Sequence, residues 1–264
     1  MSAEARVCYC YAVTKPLPPD ALAGVPGLRD STVDTVECDG LAAVVSELPA
    51  AEFGERALRA NLEDLGWLER VARRHNDVVD GVARRAATVP FRLATIYRDR
   101  HRVHEVLRSG AARIGAALDR IEGRSEWGLK VYAEFAEEAE PVPPSGPTEP
   151  PGRSYLRKRL AERRSRDLRW ARVEETAAKV DESLCALAVD RRAHRPQSRR
   201  LSGDSEQNVL NVAYLVDDAD VDSFLARAGE LRAAARGCRV GLTGPWAPYS
   251  FALPDPGATG SAGS

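Results

Sequence analysis

The first apolar run, 7–13 (Val-Cys-Tyr-Cys-Tyr-Ala-Val), is short, β-prone and uninterrupted, and it predicts a buried strand. A second strand or hairpin is predicted over 35–48, with Asp39-Gly40 as its turn signal. From about 53 to 85 the period changes. Leu58, Leu62, Leu65, Leu68, Ala72, His75, Val79 and Val82 recur at three or four residues, which places them on one helix face. A strand is predicted at 89–97. A helix over 100–121 follows, with the stripe Val103, Leu107, Ala111, Ile114, Leu118 and Ile121, and Gly123 as its C-cap. Trp127–Tyr132 reads as a strand closing this half. The order β-β-α-β-α-β predicts an α+β sandwich of ferredoxin-like type, with helices on one face of an antiparallel sheet.

Residues 139–152, AEPVPPSGPTEPPG, hold six prolines and two glycines and cannot form a helix or central strand. They predict a linker between an N-terminal domain (1–138) and a C-terminal α+β domain (153–253). The second half opens on a long helix, 155–187, with a heptad-like seam of Trp170, Val173, Ala177, Val180, Leu184 and Leu187. A polar loop (193–207), a strand (208–216), a helix (221–236) and a strand (238–243) follow. The strand–helix–strand layouts near 89–132 and 208–243 are alike, which predicts two similar lobes. Residues 254–264 are small and polar and predict a disordered tail.

Composition narrows the function. Charged residues make up 29% of the chain, yet the formal net charge is −1, so no whole-molecule field calls for nucleic acid or an anionic membrane. No apolar stretch reaches the roughly 18 residues of a membrane span. The five cysteines have no disulfide-framework spacing, and with no signal sequence they predict a reducing cytosol.

Candidate chemistry is sparse. His101 and His104 share a helix face without a third ligand near them in sequence, and packing explains Cys8-x-Cys10 and His75 better than ligation does. No phosphate-binding loop, nucleotide fingerprint or nucleophile elbow occurs, so no catalytic residue, metal or cofactor is predicted. Three features remain. The basic stretch 153–172, including Arg157, Lys158, Arg163 and Arg164, carries nine Lys/Arg against Glu162 and Asp167. It is read as a solvated face or a surface for an acidic partner, with nucleic acid as the alternative. Arg92 lies inside an apolar segment, so it faces solvent or has a fixed carboxylate partner. Gly244–Phe251 presents Trp246, Tyr249 and Phe251 on a chain stiffened by Pro245 and Pro248. That segment is expected to pack on the sheet of the second lobe, with Trp246 mostly buried and Tyr249 partly exposed.

Two of these segments carry a resemblance. Pro90-Phe-Arg-Leu-Ala-Thr95 is similar to a motif of the GvpF/GvpL gas vesicle family, with Ala94 where glycine is usual. Leu242-Thr-Gly-Pro-Trp-Ala-Pro-Tyr-Ser-Phe251 resembles that family's C-terminal signature, with Ala247 where proline is commoner. Glu126, the Gly152-x-x-Tyr155-Leu156 entry to the long helix and 209–216 also match, so the likeness spans roughly residues 5–253. The resemblance implies an accessory protein of gas vesicle assembly that acts in the cytoplasm and binds the hydrophobic shell protein GvpA and other accessory proteins. It brings no catalytic set, cofactor or small-molecule substrate. Arg92, Trp246, Tyr249 and Phe251 are interaction candidates on chemistry alone. A nucleic-acid-binding protein acting through 153–172, and an unrecognised enzyme with a polar pocket, stay open as alternatives.

Overall fold

The computed structural model describes residues 5–18, 20–134, 151–195 and 207–252, without the side chains of 151–156 and 158. The expected tail at 254–264 lies outside the described residues, as do 139–150 of the expected linker and 196–206 of the polar loop. The chain forms two compact units, 1–126 with 245–264, and 127–244.

Unit one begins with β1 (Arg6–Thr14), β2 (Asp34–Cys38) and β3 (Leu41–Pro49). Asp39 and Gly40 both have positive φ, 52° and 75°, which gives the two-residue hairpin that Asp-Gly predicts. Three helices follow: α1 (Ala50–Phe53), α2 (Glu55–Asn61) and α3 (Leu65–Ala83). One helix was expected over this stretch. Gly54 breaks it first, and the Asp64 carboxylate then caps a new start by accepting the Gly66 and Trp67 N–H groups. The interruptions carry Leu62 and Leu65 off the buried face, and Leu65 is 79% exposed. From α3 onward the periodicity holds, with Trp67, Val71, His75, Val78, Val79 and Val82 buried.

The expected strand over 89–97 is broken into β4 (Val89–Pro90) and β5 (Ile96–Tyr97). Both pair with β1, so they are two pieces of one interrupted edge. α4 (Arg100–Ile121) then packs against β1, β2 and β3 with its apolar stripe buried. Tyr9 and Tyr11 meet the α3 side chains, while Cys8 and Cys10, which alternate with them, are also buried. The sheet is therefore covered on both faces, and not on one as the pattern suggested.

Unit two holds β6 (Arg124–Ala133), which starts at the end of unit one, then α5 (Pro151–Cys185), β7 (Asp190–Ala193), β8 (Gln207–Asp217), α6 (Val221–Ala234) and β9 (Cys238–Trp246). Its sheet has the order β7-β8-β6-β9, a complete β-α-β-β-α-β unit of ferredoxin-like type. Unit one has the corresponding order β2-β3-β1-β4, with irregular chain where the first crossover helix would be. The expected α+β architecture in two similar lobes is thus the one observed.

The partition differs from the expected boundary at 139–152. The strand at 127–132 was expected to close the first lobe, yet it lies second from the edge of the second sheet, between β8 and β9. Val173, Ala177, Val180 and Leu184 of α5 pack beside Leu129, Val131, Tyr214 and Phe224 in the core of unit two. Asp181 is held there bidentately by Arg191 and by the Tyr214 hydroxyl at 2.6 Å. Burial raises its carboxyl pKa, but these hydrogen bonds and the Arg191 charge outweigh that and hold it below the usual range.

Candidate functional site

Ala94 explains the break in the edge strand. Its φ is 62°, in the left-handed region, and the carbonyl of Arg92 accepts both the Thr95 N–H (3.1 Å) and its hydroxyl (2.7 Å). A turn results where a strand was expected, and Arg92 is exposed on it. The Phe91 N–H donates to the Tyr11 carbonyl, and the Thr95 carbonyl accepts the Cys10 N–H, so β1 holds both ends of the turn. The buried Tyr9 hydroxyl accepts the Ala94 N–H at 3.1 Å and shares a 3.0 Å hydrogen bond with His75 Nδ1. Burial pushes the His75 pKa down to about 4, against a smaller opposing pull from the Phe91 backbone.

A non-glycine residue in this conformation carries strain of roughly 1–2 kcal/mol. Ala94→Gly should therefore raise stability by about 1 kcal/mol, after the added flexibility of the unfolded chain is offset. Urea unfolding of the full chain checks this. A loss of stability would show that the turn is not strained.

The C-terminal aromatic segment belongs to unit one, whereas it was expected on the sheet of the second lobe. Gly244 has φ 136°, which side-chain-bearing residues rarely adopt, so the glycine of this motif answers a backbone need. Ala247 is buried with Tyr9, Phe53 and Trp67. A short helix follows, α7 (Tyr249–Ala252), packed on α4 and β4. Glu126, 8% exposed, fixes its start by accepting the Ser250 N–H at 2.8 Å and the Ser250 hydroxyl at 2.7 Å.

These contacts sort the aromatics differently from expectation. Phe251 is 2% exposed and anchors the segment, while Trp246 is 48% exposed and Tyr249 41% exposed, its hydroxyl 3.4 Å from Asn76 Oδ1. Trp246 was expected to be mostly buried. It is not, because Ala247 and Phe251 occupy the apolar sites. β4, which ends two residues before Arg92, packs beside α7, so the two motif segments share one region of unit one.

Glu126 was noted only as part of a resemblance, and no local pattern marks its partner Ser250. The basic residues Arg157, Arg163 and Arg164 lie elsewhere, on an exposed part of α5 in unit two. Lys158 is on the same helix.

An open groove of about 590 Å³ in unit one is lined by Leu28, Arg29, Glu52, Trp67, Arg70 and Arg74 among others. Arg29 and the Trp67 indole both bond Glu52, and Arg74 pairs with Asp30, so its charges are largely used in holding the fold. His101 pairs with Glu105 on the exposed side of α4. Among the described residues no group of three or more His, Cys, Asp or Glu could hold a metal ion, and no helix is long and apolar enough to cross a membrane.

The sequence profile of the family described as gas vesicle synthesis protein GvpL/GvpF matches residues 7–253. Gas vesicle protein L of Streptomyces sp. (strain CB03234) is 43% identical over 249 residues, covering 94% of this chain and 93% of that protein. Gas vesicle protein L2 of Halobacterium salinarum (strain ATCC 700922 / JCM 11081 / NRC-1) is 24% identical, covering 94% and 91%. Two crystal structures share the fold. GvpF from Anabaena sp. PCC7120 has a TM-score of 0.66 at 17% identity, covering 95% of this chain and 97% of its own. GvpF from Microcystis aeruginosa has a TM-score of 0.63 at 15% identity, covering 94% and 99%. The match over residues 7–253, joined to a relative this similar over nearly its whole length, makes the chain a member of the GvpL/GvpF gas vesicle synthesis family.

Proposed function

We propose that the chain is a cytoplasmic, non-catalytic assembly factor that binds the hydrophobic gas vesicle shell protein GvpA through the Arg92–Trp246–Tyr249 region. Family membership supports a role in gas vesicle formation. The observation that carries the binding surface is the division of labour in the last segment. Ala247 and Phe251 are buried as anchors, while the neighbouring Trp246 and Tyr249 keep large aromatic area exposed. Fixed aromatics with polar edges are the side chains most enriched at interaction hot spots. Two prolines and the Glu126 clamp reduce the ordering cost of binding. A shell subunit with an apolar gas-facing surface would aggregate unless covered during assembly, which gives such a surface its use.

The test is genetic complementation. In a gas vesicle gene cluster lacking its own L-type gene, wild-type protein should restore vesicles, seen as floating cells and hollow shells by electron microscopy. A Trp246→Ala/Tyr249→Ala variant at equal abundance should not. Full restoration by that variant would remove the aromatic surface from the account.

A further inference from the structure

The first half of α5 is not explained by shell-protein binding. Residues 159–168, nearly three helical turns, are all exposed, as is Arg157. No face of this stretch is buried, although the same helix enters the core of unit two from Val173 onward. It is therefore an anchored helical arm, of about 18 Å over residues 157–168.

Its charge is one-sided, with six Lys/Arg over 157–168 against Glu162 and Asp167. Arg163 and Arg166 are three residues apart, and Arg159 and Arg163 are four apart, spacings at which like charges destabilise a helix. At the same spacings Glu162 faces Arg159 and Arg166, and Asp167 faces Arg163 and Arg164, so attractive pairs outnumber the repulsive ones and what remains is an excess of positive charge. A helix that is polar all round depends on side-chain pairs or on a partner for its stability. Two leucines also stand out of this charged surface, Leu160 at 55% exposed and Leu168 at 62%.

We propose that this arm, 157–168, is a docking surface for an acidic protein segment that carries apolar side chains. Carboxylates would pair with Arg163, Arg164 and Arg166, and leucine-sized groups would cover Leu160 and Leu168. Nucleic acid fits less well. Among the described residues 157–168 no aromatic offers a stacking surface, exposed leucines interrupt the cations, and a net charge of −1 provides no long-range attraction. A membrane surface fits less well too, because charge surrounds the whole circumference and leaves no apolar face to insert. The surface lies in unit two and is independent of the aromatic region in unit one.

The experiment titrates the full chain against a fluorescent helical peptide of about 20 residues, rich in Glu with Leu at helical spacing. A Lys-for-Glu counterpart, a single-stranded oligonucleotide and phosphatidylserine–phosphatidylcholine vesicles are run in parallel at about 150 mM salt. The acidic peptide should bind best and weaken steeply with added salt. R163E/R164E/R166E should melt like wild type and lose about tenfold or more in affinity. L160S/L168S should weaken binding severalfold while keeping its salt dependence. R163Q/R164Q/R166Q keeps a good helix former at each site and gives the same readout if the reversal fails to fold. Equal binding by the arginine variants, or tighter binding of oligonucleotide or vesicles than of the acidic peptide, would overturn the proposal.

Discussion

Phe251→Ala is expected to destabilise the protein by about 3–5 kcal/mol, the range for emptying a buried aromatic site. The side chain is 2% exposed in a helix held on β4 and α4, and the Glu126–Ser250 bonds leave the segment little freedom to collapse into the space. The melting temperature should fall by roughly 10 °C for a chain of this size. Trp246→Ala, at 48% exposed, should shift stability by less than about 1 kcal/mol. A Phe251→Ala variant that melts with wild type, beside a Trp246→Ala variant that does not, would invert the assignment of anchor and contact surface. Both should be followed by chemical denaturation with two probes, because two compact units need not unfold together.

Acid should find the other weak point, His75. Its folded pKa is about 4 against an ordinary 6.5, with burial as the main cause. Between those values the unfolded chain takes up a proton that the folded protein refuses, so stability falls as pH falls from about 6.5 to 4. Above this window the contribution is fully present. Below it the loss levels off at an amount on the order of 3 kcal/mol. The measurement is urea unfolding of wild type and His75→Gln from pH 7.5 to 4, with the difference between them taken at each pH. Glutamine leaves Tyr9 a hydrogen-bonding partner but does not titrate. Asp181, held below the usual carboxylate range, weakens only further into acid and is common to both proteins. A difference that stays flat across the window would mean that His75 charges freely in the folded state.

Local order was legible where local forces decide it. The 3.6-residue stripe of α4, the Asp39-Gly40 hairpin and the seam Val173–Leu184 are set by side chains a turn or two apart, and the sequence displays them. The membership of β6 in the second sheet was not legible, because a strand's pattern records that it is buried and not which neighbours bury it. The break at Arg92–Thr95 escaped for a related reason. An apolar run reads as a strand, while the turn depends on Thr95 bonding back to Arg92 and on Tyr9 receiving the Ala94 N–H from 85 residues away.

The candidate site followed the same rule. The aromatic motif was visible in the sequence as large apolar area with polar edges. Its location depends on Glu126 meeting Ser250 across 124 residues, which no spacing announces. The exposure of Trp246 follows from Ala247 and Phe251 taking the buried positions, a choice made by packing after the chain has returned to unit one.

The most direct test of the central claim is a binding measurement between the purified full chain and the gas vesicle shell protein GvpA, co-expressed and then sedimented. Wild type is expected to hold the shell protein in the supernatant and to co-purify with it. Trp246→Ala should melt within a few degrees of wild type and release the shell protein to the pellet. Folded wild-type protein that leaves the shell protein entirely in the pellet, and shows no binding by calorimetry, would contradict that claim.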